Sequence, residues 1–299
     1  MSFKSWISAF RLRTLPLATA GIVMGSGLAA LQATHQWPVS VLAVLTAVLL
    51  QILSNLANDY GDYQNGADLT GRQGPARMVA SGSISAEAMK TAMIVLGALA
   101  LLSGLALLWV GFGGFGWPFL LMLLLGLAAI GAAVKYTAGT KPYGYAGLGD
   151  LSVLLFFGFV AVLGTYYLHA GQWHPALLLP ALGMGLLSVA VLNLNNMRDR
   201  ESDARAGKRS IPVRMGAAFA VRYHTVVVLL AVLSLLWYAR GQASDTWLHP
   251  LWVGGALPLL YNLYRIRQVK QARAYDPFLK RTALNSLLFA LLLLLALYL

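Results

Sequence analysis

The stretch VLAVLTAVLLQILSNLANDYGDYQNGAD, residues 41–68, joins an apolar run to a cluster of three carboxylates. These carboxylates, Asp59, Asp62 and Asp68, belong to a chain of 299 residues that contains only ten Asp and Glu. Because about 20 apolar residues cross the hydrocarbon core of a bilayer as a helix, the apolar run predicts a membrane helix. The sequence therefore concentrates negative charge at the end of a predicted membrane span.

The composition of the whole chain also indicates a membrane protein. Hydrophobic residues make up 59% of the chain and charged residues only 11%, whereas soluble domains are about 25% charged. Three long stretches, 14–58, 91–134 and 151–197, contain no Asp, Glu, Lys or Arg. Each is long enough for two membrane helices joined by a turn. Helix breakers and interfacial Trp lie near the middle of each stretch, at 32–38, 111–118 and 169–175.

Three further spans are predicted in the last third of the chain. Apolar stretches at roughly 218–239 and 247–264 form a fourth pair, and the charge-free tail 282–299 supplies a ninth span. We therefore expect an all-α, polytopic membrane protein with nine transmembrane helices. We expect residues 1–299 to form a single domain, because the predicted helices follow one another with short connections.

The basic residues predict the orientation of the chain in the membrane. Of the 22 Lys and Arg residues, 21 lie in the N-terminal segment or in connections that follow even-numbered spans, and only Arg240 lies on the opposite side. Because such residues remain on the cytoplasmic side, we expect a cytoplasmic N-terminus and a C-terminus outside. The same effect explains the net charge of +12, so we expect no nucleic-acid partner.

A second polar cluster, NLNNMRDRESD, follows the sixth predicted span and ends at Asp203. Asn58 and Asp62 of the first cluster are four positions apart, and so are Asn195 and Asp199 of the second. Residues four apart share one face of a helix, so each cluster predicts a column of oxygen atoms. Both columns leave the membrane on the same side, and we expect them to face each other across a cavity open to the cytoplasm.

The two columns predict a cation site. Neighbouring carboxylates raise one another's pKa, so a positive partner is needed to keep them charged. Oxygen donors without His or Cys suit Mg²⁺, which usually takes one or two protein carboxylates together with substrate phosphates. A solvated interfacial face would explain one acidic run, but two matched columns favour a site for a magnesium-bound diphosphate. Basic residues that follow the clusters are candidates to bind the same anion: Arg72, Arg77, Lys208 and Arg209.

A third connection on the same side, KYTAGTKPYGYAGLGD at residues 135–150, is dense in Gly, Tyr and Lys. A flexible turn would explain this composition. Tyr136 and Lys141 could also offer a hydroxyl and an ammonium to an anion, while the glycines would allow the segment to move as a lid. Two further asparagines, Asn55 and Asn193, lie close to the last apolar turns, where we expect them to line the cavity rather than only to join helices.

These stretches resemble the UbiA superfamily of intramembrane aromatic prenyltransferases, and within it the 1,4-dihydroxy-2-naphthoate polyprenyltransferases of menaquinone biosynthesis. The resemblance covers about residues 11 to 216, and it implies nine helices around a central cavity open to the cytoplasmic side of the bacterial inner membrane. Leu12, where a Pro is common, and Asp150, where a Glu is frequent, depart from the family pattern. The matching stretches are RTLPLATAGIVMG, QILSNLANDYGDYQNGAD, RQGPAR, KPYGYAGLGDLSVLLFFGFVAVLGTYYL and NLNNMRDRESDARAGKRSIPVRMG.

The resemblance and the two columns together give a set of candidate site residues. The predicted Mg²⁺ ligands, with Asp59 and Asp68 in a supporting role, are Asn58, Asp59, Asp62, Asp68, Asn195, Asp199 and Asp203. The predicted catalytic residues are Asp62, Asp199, Asp203, Lys141 and Tyr136. The predicted substrate-binding residues are Asn55, Arg72, Arg77, Lys208, Arg209, Tyr143 and Asn193.

The implied reaction is the transfer of a polyprenyl chain from polyprenyl diphosphate to 1,4-dihydroxy-2-naphthoate. It would release CO₂ and diphosphate and give demethylmenaquinone, with membrane lipid as the surrounding partner. Transfer to 4-hydroxybenzoate or to another aromatic acceptor is the alternative within this class. A membrane transporter is a more distant alternative, because transporters place ionisable groups near the middle of the bilayer, whereas these acids lie at the ends of the spans.

Overall fold

A computed structural model describes residues 2–66, 73–242 and 249–299 of the chain. All regular secondary structure in these residues is helical, and eight helices are long and apolar enough to cross a membrane. The prediction of an all-α membrane protein is therefore confirmed. The α-helices are α1 (Phe3–Phe10), α2 (Leu15–Leu31), α3 (Trp37–Gln64), α4 (Ala86–Phe112), α5 (Trp117–Lys135), α6 (Gly149–Val153), α7 (Thr165–Ala170), α8 (Leu178–Arg205), α9 (Ile211–Gln242), α10 (Pro250–Ile266) and α11 (Asp276–Tyr298).

Two of the predicted spans differ from simple α-helices of ordinary length. The eighth predicted span corresponds to α10, which has 17 residues and lies at the lower limit for crossing a bilayer. The fifth span is continuous from α6 to α7, but its middle section, Leu154–Gly164, is a π-helix. A π-helical section of 11 residues is unusual, because most are single-turn bulges.

The turns between the paired helices form where the sequence places helix breakers. The turn between α4 and α5 begins at Gly113, whose φ of 68° is left-handed, and the turn after α7 begins at Gly171 with a φ of 67°. A proline occupies the first turn of both α3 and α5, where its missing amide hydrogen costs no helical hydrogen bond. These breakers end the apolar helices close to the predicted positions.

The helix α3 continues beyond the apolar part of its sequence. Its last turns include Asn58 and Asp62, and α8 likewise continues through Asn195 and Asp203 to Arg205. Both polar clusters are therefore helical, as the spacing of four residues predicts. The carboxylates are held on rigid helical segments and not on a loop.

Close helix packing in the centre of the molecule depends on glycines. A Cβ atom at Gly25 of α2 would lie 2.5 Å from the Val162 carbonyl oxygen, and one at Gly158 would lie 2.6 Å from the Ala181 carbonyl oxygen of α8. Small residues let helix backbones approach in a lipid environment, where van der Waals packing drives helix association. The π-helical section is therefore packed tightly between α2 and α8.

We predict that replacing Gly25 by alanine destabilises the fold by about 1–3 kcal/mol, because the new methyl group forces two backbones apart. The measurement is thermal unfolding of the purified protein in detergent. Gly131→Ala on α5 is the control, because a Cβ atom there meets no other atom within 4 Å. Equal unfolding temperatures for the Gly25→Ala variant and the parent would contradict the packing described above.

Candidate active site

Two cavities adjoin where α3 and α8 end. The polar chamber, of about 70 Å³, is lined by charged residues that include Asp62, Arg77 and Lys208. The apolar cavity, of about 360 Å³, lies mainly between α2, α3, α4, α5 and the π-helical section. Residues that line both are Arg11, Asn58, Tyr136, Leu192 and Asn195. A charged compartment therefore opens into a much larger apolar one.

Lys208 connects the two predicted columns. Its Nζ lies 2.8 Å from Oδ1 of Asp62 on α3 and 3.3 Å from Oδ1 of Asp203 on α8. Asn58 and Asn195, the amide members of the columns, both line the polar chamber. The structure thus brings the two clusters together, although Asp62 and Asp199 are 137 positions apart in the sequence. The negative charges on the two helices share one ammonium group.

Asp62 is the most densely contacted carboxylate of the polar chamber. It forms an ion pair with Arg77 and accepts a hydrogen bond of 3.2 Å from the Tyr145 hydroxyl. The Lys208 ammonium lies 4.9 Å from the centre of the Tyr145 ring, which adds a cation–π contact. Asp62 and Arg77 are both buried, and a carboxylate removed from water needs cations to offset its lost hydration.

Asp59 binds the backbone at Met78 and Val79, in the connection between α3 and α4. Its two carboxylate oxygens accept hydrogen bonds of 2.9 Å from the backbone amides of Met78 and Val79. These amides come directly after Arg77, the partner of Asp62. Asp59 therefore holds the backbone next to Arg77 in place, and the supporting role at the metal that the sequence predicts for Asp59 stays a prediction.

Arg198 organises the second column. Its Nε and Nη2 atoms lie 3.0 and 2.7 Å from the carboxylate of Asp199, and Nη2 also lies 2.7 Å from the amide oxygen of Asn195. Its Nη1 atom lies 2.5 Å from Asp276 at the start of α11, and Asp276 also accepts a hydrogen bond of 2.8 Å from Arg13. This fully buried guanidinium links α8 to α11.

Tyr136 lies at the junction of the two cavities. Burial raises the pKa of its phenol above the ordinary value, and the nearby carboxylates of Asp150 and Asp203 raise this pKa further. The phenol therefore stays protonated in the physiological pH range. It can donate a hydrogen bond into the site but cannot act as an anionic base there.

Three other predicted site residues, from the basic and tyrosine-rich connections, do not line the polar chamber. The Tyr143 hydroxyl donates to the Ala132 carbonyl oxygen at 3.0 Å and lies 2.9 Å from the Ser152 hydroxyl, so it joins α5 to α6 beside the apolar cavity. Burial raises the pKa of Tyr143 as well. Lys141 and Arg209 are exposed and line neither cavity. The catalytic role predicted for Lys141 and the substrate-binding role predicted for Arg209 stay predictions.

The two asparagines near the apolar turns mainly join helices. Asn55 donates hydrogen bonds of 2.9 Å to the Phe10 carbonyl oxygen and 3.0 Å to the Thr14 hydroxyl, and it also lines the apolar cavity. Asn193 donates a hydrogen bond of 3.1 Å to the Ala220 carbonyl oxygen of α9 and lines neither cavity. Asn193 therefore lies outside both cavities, whereas Asn55 lines the apolar one.

No preassembled metal cage is present in the described part of the chain. No group of three or more His, Cys, Asp or Glu residues there is arranged to hold a metal ion. The carboxylates of Asp62, Asp199 and Asp203 are paired with Lys and Arg side chains instead. Two further candidates, Asp68 and Arg72, lie outside the described residues.

The sequence analysis did not single out Arg198 and Tyr145, which contact candidate site residues, or Asp276, which contacts Arg198. Arg198 stands between Asn195 and Asp199 in the sequence, and a buried acidic cluster without His or Cys needs a cation of this kind. Tyr145 occurs in the same connection as Tyr136, but periodicity does not reveal which tyrosine of a loop reaches a carboxylate. Asp276 carries no local signal, because it is separated from α8 by two helices.

The geometry agrees with a known family of membrane proteins. A family model described as the UbiA prenyltransferase family matches residues 18–288. This chain belongs to that family. The 1,4-dihydroxy-2-naphthoate octaprenyltransferase of Escherichia coli (strain K12) is 42% identical over 99% of this chain and 96% of its own length. The protein of the same name from Haemophilus influenzae is 43% identical over 97% of this chain and 94% of its own length. The resemblance found in the sequence is thus confirmed.

Solved structures of UbiA homologues share the fold. A UbiA homologue from Archaeoglobus fulgidus bound to DMAPP and Mg²⁺ aligns with a TM-score of 0.64 at 17% identity, over 96% of this chain and 98% of that one. A UbiA homologue from Aeropyrum pernix in its apo form also gives a TM-score of 0.64 at 17% identity, over 97% and 98% of the two chains. At this level of identity the likeness shows the fold alone.

We predict that Asp276→Asn destabilises the fold by about 2 kcal/mol, because the buried Arg198 loses a carboxylate partner. Chemical unfolding in detergent measures this change. Glu201→Gln is the matched control, because Glu201 is 73% exposed and its ion pair with Arg200 is 3.8 Å long, so its loss should cost less than about 1 kcal/mol. Equal effects of the two substitutions would refute the structural role of Asp276.

Proposed function

We propose that this protein transfers a polyprenyl chain from polyprenyl diphosphate to 1,4-dihydroxy-2-naphthoate. The reaction releases CO₂ and diphosphate and gives the hydroquinone form of demethylmenaquinone. The observation that carries this proposal is the junction of the polar chamber with the apolar cavity. A prenyl diphosphate has the same division, since its charged head fits the chamber and its hydrocarbon chain fits the cavity.

The names of the relatives support the same acceptor. The proteins from Escherichia coli and Haemophilus influenzae, which match almost the whole chain, are both named 1,4-dihydroxy-2-naphthoate octaprenyltransferase. A third protein of this name, from Mycobacterium tuberculosis, is 38% identical over 97% of this chain. Identity of this extent across three relatives favours the naphthoate acceptor over 4-hydroxybenzoate.

The side chains of the polar chamber can stabilise a diphosphate leaving group. Arg77 and Lys208 both line the chamber and carry positive charge, and Tyr136 adds a neutral hydroxyl donor at the junction with the apolar cavity. Charged groups that are already in position when negative charge develops lower the barrier most effectively in a water-poor site. These residues therefore bind and orient the diphosphate as the bond from its oxygen to the prenyl C1 breaks.

The donor chemistry of the chamber fits Mg²⁺. Asp62, Asn58 and Asn195 line the chamber, and the carboxylates of Asp199 and Asp203 lie beside it on α8, paired with Arg198 and Lys208. Carboxylate and amide oxygens are the ligand types that this ion prefers. The described residues form no complete cage, and a Mg²⁺ site that shares its ion with substrate phosphates needs none. When bound, Mg²⁺ would neutralise negative charge on the diphosphate.

The remaining chemistry requires a dry and oriented site. An aromatic ring carbon of the naphthoate forms a bond to the prenyl C1 while the electron pair of the C1–O bond leaves with diphosphate, and the carboxylate departs as CO₂. The apolar walls of the larger cavity exclude water, which would otherwise react with the electron-deficient C1. The protein thus contributes binding, orientation and electrostatic stabilisation without a covalent intermediate.

We also propose how the protein lies in the membrane. Its apolar helices and its family make it an integral membrane protein. The distribution of basic residues supports a location in the bacterial inner membrane with the N-terminus in the cytoplasm and the C-terminus on the periplasmic side. The polar chamber then opens toward the cytoplasm, residues 1–299 act as one domain, and membrane lipid surrounds the helices.

We expect the purified protein, with Mg²⁺ present, to convert 1,4-dihydroxy-2-naphthoate and octaprenyl diphosphate to the hydroquinone form of demethylmenaquinone. Product formation is followed by liquid chromatography, and release of diphosphate is measured in parallel. An equal concentration of 4-hydroxybenzoate as acceptor serves as the comparison and should give at least about tenfold less product. Preferential use of 4-hydroxybenzoate would refute the naphthoate assignment, and absence of diphosphate release with every acceptor would favour a transporter.

We expect Asp62→Ala and Asp199→Ala each to lower turnover by about a hundredfold or more, because each removes an oxygen donor from the site where charge develops. Glu201→Ala is the matched control, since Glu201 lies between Asp199 and Asp203 on α8 but is exposed. Initial rates are compared after normalisation to the amount of folded protein in detergent. Near-normal turnover of both aspartate variants would remove the two columns from the mechanism.

A further inference from the structure

The glycines of the membrane helices fall into two groups. At positions such as Gly21 and Gly158, an added Cβ atom would lie within 3 Å of a neighbouring backbone oxygen, so these glycines permit close helix packing. At Gly126 and Gly164, an added Cβ atom would meet no other atom within 4 Å. Helix packing therefore does not explain the second group.

Gly126 of α5 and Gly164 of the π-helical section both line the apolar cavity. Gly164 is buried in the protein, so the open space around its Cβ position belongs to that cavity. Its φ of −62° and ψ of −46° are available to any residue, and backbone strain gives no reason for glycine either. Although glycine is a poor helix former, the missing side chain at Gly164 leaves this room in the cavity.

Both glycines line the apolar cavity, and neither lines the polar chamber. Gly126 precedes Tyr136 by ten residues along α5, which corresponds to about 15 Å along the helix axis. Gly164 lies fourteen residues beyond Asp150, a residue of the polar chamber, in the same continuous span. With the diphosphate in the chamber, a geranyl chain ends before this depth, whereas an octaprenyl chain has to pass it.

We propose that Gly126 and Gly164 determine the length of prenyl chain that the enzyme accepts. They leave the inner part of the apolar cavity wide enough for a long chain, and they have no influence on a short chain that ends before them. This inference rests on the proposed function, because it takes the apolar cavity as the site of the prenyl chain. It adds the residues that select the donor by length.

The experiment compares two donors, geranyl diphosphate and octaprenyl diphosphate, in Gly126→Leu and Gly164→Leu variants. Leucine fills the open space at either position and is a better helix former than glycine, so we expect both variants to fold. Gly131→Leu is the matched control, because Gly131 lies on α5 as well, has no atom within 4 Å of its Cβ position and does not line the cavity.

We expect each of the two cavity variants to transfer octaprenyl at least about tenfold more slowly than the parent. Transfer of geranyl should remain within about twofold of the parent rate. Gly131→Leu should leave both rates unchanged. A selective loss for the long donor alone cannot come from a general loss of folded protein, because both donors use the same polar chamber.

Two outcomes overturn the inference. One is unchanged octaprenyl transfer in both cavity variants, and the other is an equal loss for both donors in variants that elute from size-exclusion chromatography as the parent does. If a leucine variant fails to fold, the corresponding alanine variant replaces it, and it must still lower octaprenyl transfer more than geranyl transfer.

Failure of the proposed function is distinguishable from failure of this inference. If the parent prenylates no acceptor, the proposed function fails, and the length dependence is then measured by binding alone. Each donor should raise the unfolding temperature of the parent, because a ligand that binds only the folded state stabilises it. The cavity variants should lose the stabilisation by octaprenyl diphosphate and keep that by geranyl diphosphate; equal stabilisation by both would overturn the inference.

Discussion

The pairing of buried carboxylates with buried cations at one end of the helix bundle is the constraint on which the structure depends. Lys208 lies between Asp62 on α3 and Asp203 on α8 and contacts both carboxylates. Without this ammonium, the two buried carboxylates would repel each other. The same pairing fixes the spacing of α3 and α8, and so it sets the width of the chamber that a diphosphate would enter.

Arg198 pairs in the same way with carboxylates of two helices, α8 and α11. It neutralises Asp199 and contacts Asp276 at the start of α11, so the ion pairs of the site also position a helix that follows much later in the chain. The two-part cavity is a consequence of this arrangement. The charged side chains lie where the helices end, while the cavity between the apolar parts of the helices is lined mainly by apolar residues. Such a division suits a substrate with a charged head and a long apolar chain.

Several features of the site were accessible from the sequence because they depend on local periodicity. The spacing of Asn58 and Asp62 and that of Asn195 and Asp199 placed each pair on one helix face, and α3 and α8 extend far enough to keep both pairs helical. The contacts of loop residues could not be predicted from the sequence in the same way. Tyr145, and not Tyr143, contacts Asp62, because the path of a glycine-rich connection follows no helical period.

The sequence by itself determined that the chain is helical, that it belongs in a membrane and that two acidic clusters lie on one side of it. Length, apolar composition and the positions of charged residues are sufficient for these conclusions, because a bilayer admits few backbone structures. Only the tertiary structure decided which cation meets which carboxylate, and it separated the glycines that pack helices from those that line the apolar cavity. These properties depend on contacts between residues far apart in the chain, which local sequence does not encode.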